Sequence, residues 1–433
     1  MAAESSRQRW PLAMSTTKAN IFVDSLPPKA STSTGPALST ATVIWLAGTS
    51  APWNKILSVV GLELSELQTT TLCLRSNDVC SVGEPSVHAP CNGAYLLAWL
   101  PEQHTCVQSI CLHENIQSYK TPALAHKMLL PFSAHLRHLT LEGRYSIPFS
   151  ERDLCNSMTV LKTLETFECF ELRINYCDLA RGVATLLHRN RRHLTKVRFQ
   201  NNKLSPQSTA SFLSALLECQ VLSELSFNRN HLNKGNVESL AVILHSLRNL
   251  KKLSLDFSIY SKEPFGPIAE ALESNASLEE LSLKSCQVEF KLLFEALHTN
   301  TTLKMLNLEC CTMTFNEVKY FAATLSLNKG LRTVLLPNCQ LKDEGITLLA
   351  HAMAINNILQ KLDLHDNSGM TEAVMAFCQS LKNNGALRSI IFGRIKASDQ
   401  QSAVESDVAA NPAVRVATPE VQDQATAHED HTR

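Results

Sequence analysis

The stretch LSELSFNRNHL, residues 222–232, places Leu222, Leu225, Phe227, Asn230 and Leu232 at offsets 0, 3, 5, 8 and 10. Neither the 3.6-residue period of a helix nor the two-residue period of a strand produces that spacing. The same spelling returns upstream in LTKVRFQNNKL from Leu194. Downstream it starts again at Leu250, Leu278, Leu303, Leu331, Leu359 and Leu387. Successive first leucines are 28 residues apart, except for one step of 25 between Leu278 and Leu303. A fixed period of this size marks a solenoid of stacked strand-and-helix units.

The remainder of each unit is periodic as well. Val237, Leu240, Ala241 and Leu244 fall on one face of a helix, as do Phe265, Ile268, Ala269 and Leu272. Val318, Phe321, Ala322 and Leu325 repeat the pattern, and so do Ile346, Leu349, Ala350 and Met353. Phe290, Leu293, Phe294 and Leu297 fit the short unit if three residues are missing from the turn before its helix. The spelling therefore predicts an α/β solenoid bent into a horseshoe, with parallel strands inside, helices outside and about ten to twelve units.

Asn230 stands where the pattern turns inward. Backbone groups buried in that turn need partners, and a side-chain amide, hydroxyl or thiol at offset 8 can supply them. The position reads Asn202, Asn230, Ser258, Cys286, Cys311, Cys339 and Asn367. One further unit before Leu194 has two registers. It starts at Leu161 or Leu164, or it starts at Cys169 and places Cys177 in the turn; the second is preferred because it fills the polar position.

The chain divides into four parts. Residues 1–60 are read as a disordered leader, with fifteen Ser or Thr and only Glu4 and Asp24 as acids in the first fifty. Residues 61–106 are read as a capping region with a degenerate unit, 107–395 as the repeats, and 396–433 as a disordered acidic tail without aromatics. Forty basic and forty acidic residues cancel, which argues against a nucleic-acid partner or a membrane association. No apolar run reaches the roughly 20 residues of a membrane span. Fourteen cysteines contain no Cys-x-x-Cys pair and three occupy the buried turn, so a reduced cytoplasmic protein is expected. The sequons Asn275-Ala-Ser and Asn300-Thr-Thr read as turn residues.

No phosphate loop, nucleophile elbow or zinc-binding His pair is present, and neither cofactor nor metal is expected. His365-Asp366 reads as surface, HRNRRH at 188–193 as a cap on a helix C-terminus, and the HEDH of the tail as solvated charge. The chemistry that remains is a surface. Offsets 2, 4 and 6 of each strand face the concave side and present Lys196, Arg198 and Gln200; Glu224 and Asn228; Lys252 and Asp256; Glu280 and Lys284; Glu309; and Lys361, Asp363 and His365. These are the candidate contacts for a protein partner, bound by a monomer without enzymatic activity.

With 28-residue units and Asn or Cys at the turn, residues 107–395 resemble the ribonuclease-inhibitor-like class of leucine-rich repeats. That class includes ribonuclease inhibitor, the Ran GTPase-activating protein and the repeat domains of NOD-like innate receptors. The resemblance implies a binding scaffold in intracellular, including innate-immune, signalling, or alternatively GTPase activation or nuclease inhibition. Ribonuclease inhibitor alternates two repeat types and is richer in cysteine, and the Ran activator has a more acidic tail. No catalytic residue carries over from any of them.

Overall fold

The computed structural model describes residues 54, 62–68, 71–76, 107–113, 134–143, 155–156, 158–172, 177–262, 265–367, 371–392 and 414–416. Apart from Asn54, the leader lies outside the described residues, as do residues 77–106 and most of the tail. Among the described residues, one sheet of fourteen strands runs in chain order. β1 (Leu62–Gln68) and β2 (Thr71–Ser76) pair antiparallel, and every later strand pairs parallel with its predecessor. These are β3 (Val107–His113), β4 (His138–Glu142), β5 (Thr166–Phe170), β6 (Lys196–Gln200), β7 (Glu224–Ser226), β8 (Lys252–Ser254) and β9 (Glu280–Ser282). β10 (Met305–Asn307), β11 (Thr333–Leu335), β12 (Lys361–Leu364) and β13 (Ser389–Phe392) follow. Within the stretch read as a disordered tail, Val414–Val416 adds β14 beside β13.

The helices α1 (Cys177–Arg189), α2 (Pro206–Leu216), α3 (Lys234–Ser246), α4 (Gly266–Ser274), α5 (Phe290–Thr299), α6 (Phe315–Leu327), α7 (Asp343–Ile355) and α8 (Thr371–Ser380) alternate with the strands from β5 to β13. Their starts are locally encoded. Ser205 caps α2 ahead of Pro206, and Asn233–Asn236 and Thr314–Glu317 form reciprocal capping boxes at α3 and α6. The helices press their apolar stripes onto the strand layer. Phe199 stacks on Phe212 of α2 at 5.0 Å and on Phe227 at 5.1 Å, while Phe294 stacks on Phe321 at 4.5 Å. None of the helices is long and apolar enough to cross a membrane, among the described residues.

Two sequence expectations are corrected. The unit before Leu194 starts at Leu164, because Thr166 pairs with Lys196 and Phe167 with Val197. Leu172 then occupies the turn, and Cys177 opens α1 instead. The short unit lacks its three residues from the helix, not from the turn before it. α5 begins twelve residues after Leu278, just as α3 begins twelve after Leu222 and α6 twelve after Leu303. It has 10 residues where α3, α6 and α7 have 13, so the first helical turn is what is missing.

Two rows of side chains tie each unit to the one before. At offset 8, the Asn202 amide donates to the Cys169 carbonyl at 2.9 Å and its oxygen accepts from Leu172 N–H at 2.9 Å. Asn230 donates to Phe199 O at 2.9 Å and accepts from Asn202 N–H at 3.0 Å. Ser258 donates to the Phe227 carbonyl, and Cys286, Cys311 and Cys339 donate to Leu255, Leu283 and Leu308 at 3.0, 3.1 and 3.0 Å. Asn367 donates to Leu336 O at 2.8 Å and accepts from both Cys339 and Leu341. Each bond crosses one unit.

The second row lies at the other end of the strands, three residues before the first leucine. Asn275, Asn300, Asn328, Asn356 and Asn384 each donate to a carbonyl of the preceding helix at 2.6–2.7 Å. Each accepts the N–H of its own unit's first leucine. Asn275 and Asn300 are thereby buried with bonded amides, which explains both sequons without a glycan.

The turn into the offset-8 position is made the same way each time. Glu171, Asn201, Arg229, Phe257, Ser285, Cys310, Asn338 and Asp366, all at offset 7, have φ between 51° and 59°. None is glycine, although this conformation costs an L-residue roughly 1–2 kcal/mol. The following side chain is aimed inward by that reversal.

Three consequences are measurable. Asn230→Ala removes the partner of three backbone groups, two of them in buried bonds, and should cost about 3 kcal/mol, whereas Asn230→Ser, which copies Ser258, should cost about half as much; urea midpoints followed by circular dichroism separate the two. A Cβ on Gly330 would sit 2.7 Å from the Thr301 carbonyl oxygen, while one on Gly385 meets nothing within 4 Å. Gly330→Ala should therefore destabilise by about 2 kcal/mol and Gly385→Ala hardly at all, read as melting temperatures. Burial pushes the Cys219 and Cys311 thiols up to about 12 and Cys286 and Cys339 also upward. Pulse alkylation at pH 8 should leave these four unmodified in the folded protein and label them only in urea.

Candidate interaction face

Because the strands are parallel and in register, offsets 2, 4 and 6 form rows across the concave face. Side chains 28 residues apart become neighbours at the inter-strand spacing of about 4.8 Å, and the charges of the concave rows pair accordingly. Lys196 on β6 reaches Glu168 on β5 at 2.8 Å, and Arg198 lies between Glu168 at 3.7 Å and Glu224 on β7, 2.9 Å from its Nε. Lys252 meets Glu280 at 2.7 Å, and Lys284 meets Glu309 at 2.7 Å. The Glu280 hydrogen bond holds the Lys252 ammonium above its usual pKa, the direction expected for a cation gaining a carboxylate partner.

Other candidates have work within the fold. The Asn228 side-chain oxygen accepts from Ser254 Oγ at 2.8 Å and from Asp256 N–H at 3.0 Å. One unit on, Asp256 accepts from Ser282 Oγ at 2.6 Å and Lys284 N–H at 3.0 Å. These two side chains close the strand ends. At the far end, Asp363 is buried and lies 2.6 Å from His365 Nδ1, with Lys361 partly exposed on the same strand. Between them, Thr333, Leu335 and Pro337 on or beside β11 leave a gap in the charged rows. Gln200 is exposed at the end of β6.

Glu168 was missed by sequence reasoning. It sits at offset 4 only in the Leu164 register, and the alternative register hid it. Phe170 at offset 6 was hidden with it, and His138, Thr140 and Glu142 of β4, at offsets 2, 4 and 6 from Leu136, line the same face. Burial lowers the pKa of His138, the largest influence on it, against the pull of Glu165.

The arrangement offers ordered charges of both signs. Among the described residues, no group of three or more His, Cys, Asp or Glu could hold a metal ion. The His365–Asp363 pair resembles an acid–base pair in geometry, but Thr333 and Leu335 of the adjoining strand bring no charged group to it. What the face can do is present alternating charge at fixed positions.

No family model matches the chain. It is 29% identical over 203 residues to a human NACHT, LRR and PYD domains-containing protein 13, a match covering 46% of this chain and 19% of that protein. It is 24% identical over 292 residues to the mouse NACHT, LRR and PYD domains-containing protein 4C, covering 65% and 29%. The chain thus spans less than a third of the length of these relatives. The solved structure of the yeast Rad7 and Elc1 complex overlaps 93% of this chain and 98% of that one, at 13% identity and a TM-score of 0.48. With its 28-residue spelling, single ordered sheet and alternating helices, the chain is a leucine-rich-repeat solenoid.

Proposed function

We propose that the chain is a non-catalytic scaffold that holds a protein partner in its concave face, centred on β5 to β10. It works there as a cytoplasmic monomer in signalling, with innate-immune signalling the first context to test. The observation that carries this reading is the row of cross-strand ion pairs from Glu168 to Glu309. Long charged side chains normally lose rotamer freedom when they bind. Here each is held by a neighbour, so less ordering remains to be done on contact. Alternating signs also favour partners with the complementary pattern and disfavour others. Isolated surface pairs contribute little to stability, so four in succession on one face are better accounted for by recognition than by folding.

The test uses charge swaps that keep each pair and invert what it presents. Lys252→Glu with Glu280→Lys, combined with Lys284→Glu and Glu309→Lys, should leave the melting temperature within a few degrees of the parent. A partner isolated with the full chain and then titrated as a purified protein should bind this variant at least about tenfold more weakly. A control swap on the convex side, Lys291→Glu with Glu295→Lys, whose side chains are 4.0 Å apart on α5, should change nothing. Equal binding by both swaps would reject the concave face. A partner whose GTP hydrolysis is accelerated by catalytic amounts of the chain would replace the scaffold reading with an activator.

A further inference from the structure

The net charge of zero conceals an uneven distribution. From β4 to β13 the link leading into each strand falls on one edge of the solenoid, and the turn leaving it falls on the other, because these strands run parallel in chain order. The links are segments 134–137, 156–165, 188–195, 217–223, 246–251, 273–279, 298–304, 327–332, 355–360 and 381–388. Together they hold twelve Lys or Arg against four Asp or Glu, and no Phe, Trp or Tyr. The opposite edge, in segments 142–143, 171–172, 201–205, 227–233, 255–262, 283–289, 308–314, 336–342 and 365–367, holds five bases and six acids.

Three of the four acids on the basic edge are already engaged. Glu165 pairs with Arg137, Glu218 with Arg191 at 3.2 Å, and Glu279 with both Lys251 and Lys304 at 3.1 and 2.7 Å. Among the described residues, Arg192, Arg248, Lys329, Arg332, Lys382 and Arg388 are exposed and have no ion pair. The last three links contain four of these cations and no acid. The same links carry two protruding aliphatic side chains, Leu327 and Ile355, each 65% exposed at the last residue of its helix.

We propose that this edge, at Leu327, Lys329, Arg332, Ile355, Lys382 and Arg388, docks on an anionic lipid bilayer. Such a surface attracts cations close to it, and aliphatic side chains among them can enter the headgroup layer. A nucleic acid would be met by stacking aromatics, which these links lack. A protein partner would need a contiguous packed core with a large anchor. Leu327 and Ile355 instead stand on successive helices, whose axes pack about 8–10 Å apart, and are flanked by flexible cations. A fluid surface with many phosphates accommodates that dispersed pattern. The contact lies on the rim, so the concave face stays open to a partner.

The test is co-sedimentation of the full chain with vesicles of phosphatidylcholine alone or with phosphatidylserine at about 30 mol %, at low and at high salt. The parent should sediment with the mixed vesicles only, and less so at high salt. The variant with Lys329, Arg332, Lys382 and Arg388 all changed to Gln should lose at least about tenfold in binding. Leu327→Ser with Ile355→Ser should lose several-fold while keeping the salt dependence. All six positions are exposed, and thermal melts of both variants should match the parent. Equal sedimentation with both vesicle types would overturn the proposal, as would parent-like binding by the four-Gln variant. Single-stranded RNA displacing the vesicles at the same edge would also overturn it and assign the edge to nucleic acid.

Discussion

The solenoid depends on hydrogen bonds from one unit's polar side chain to the preceding unit's backbone. Each unit bends its chain twice, once after the strand and once after the helix, and each bend buries carbonyls and N–H groups that no strand or helix can pair. Leaving one such group unpaired costs on the order of 1–3 kcal/mol, so an array of open bends would not be stable. Asn at both bends answers this with a donor and an acceptor: after the strand both reach the preceding unit, and after the helix the donor reaches the preceding unit while the acceptor serves its own. Ser258 likewise donates to the Phe227 carbonyl and accepts from Asn230 N–H, while Cys at the strand-end bend supplies the donor. That is sufficient because the inter-unit carbonyl is the group that recurs in every turn. At Leu172 the position supplies nothing, and its backbone N–H is met by Asn202 of the following unit.

The same bonds set the shape on which function is built. A left-handed residue before each turn aims the polar group inward and directs the chain toward the helix layer. The strands can then be as short as three residues. Because helices are wider than strands, successive units fan out on the helical side and close up on the strand side. Ion pairs form on the crowded inner face, where side chains from adjacent strands meet. On the rim, where acids are few, cations such as Arg332 and Arg388 remain exposed without an ion pair among the described residues. One repeat rule therefore produces an inner face with balanced, fixed charge and an edge with excess positive charge.

Much of this was legible from residues alone. The period, the apolar offsets and the helix stripes follow from the spacing of leucines, since burial of those positions is what the repeat exists to achieve. The row of asparagines three residues before the first leucine was equally legible, as Asn-x-x-Leu in five consecutive units, yet Asn275 and Asn300 drew notice only as sequons. The register before Leu194 was not legible. A rule that expects a polar residue in the turn selects Cys177 over Leu172, and only the pairing of Thr166 with Lys196 decides against it. The missing residues before Phe290 were visible as a shorter step, but spacing cannot say whether a turn or a helix gives way. The left-handed residues gave no sign, because Arg, Phe and Glu stand where glycine would have marked them.

By itself the sequence determined what is periodic: the class of fold, the buried set, the polar turn position and which side chains leave the core. Those properties reside within one unit, where residues a few positions apart decide their own environment. The tertiary structure decided what happens between units. Whether Lys252 is a free cation or the partner of Glu280, and whether Arg332 and Arg388 share an edge, depends on stacking that brings residues 28 or more positions apart into line. Interactions between exposed charges are largely screened beyond about 8 Å at physiological salt, so distances that only the assembled array creates fix which charges cancel and which remain.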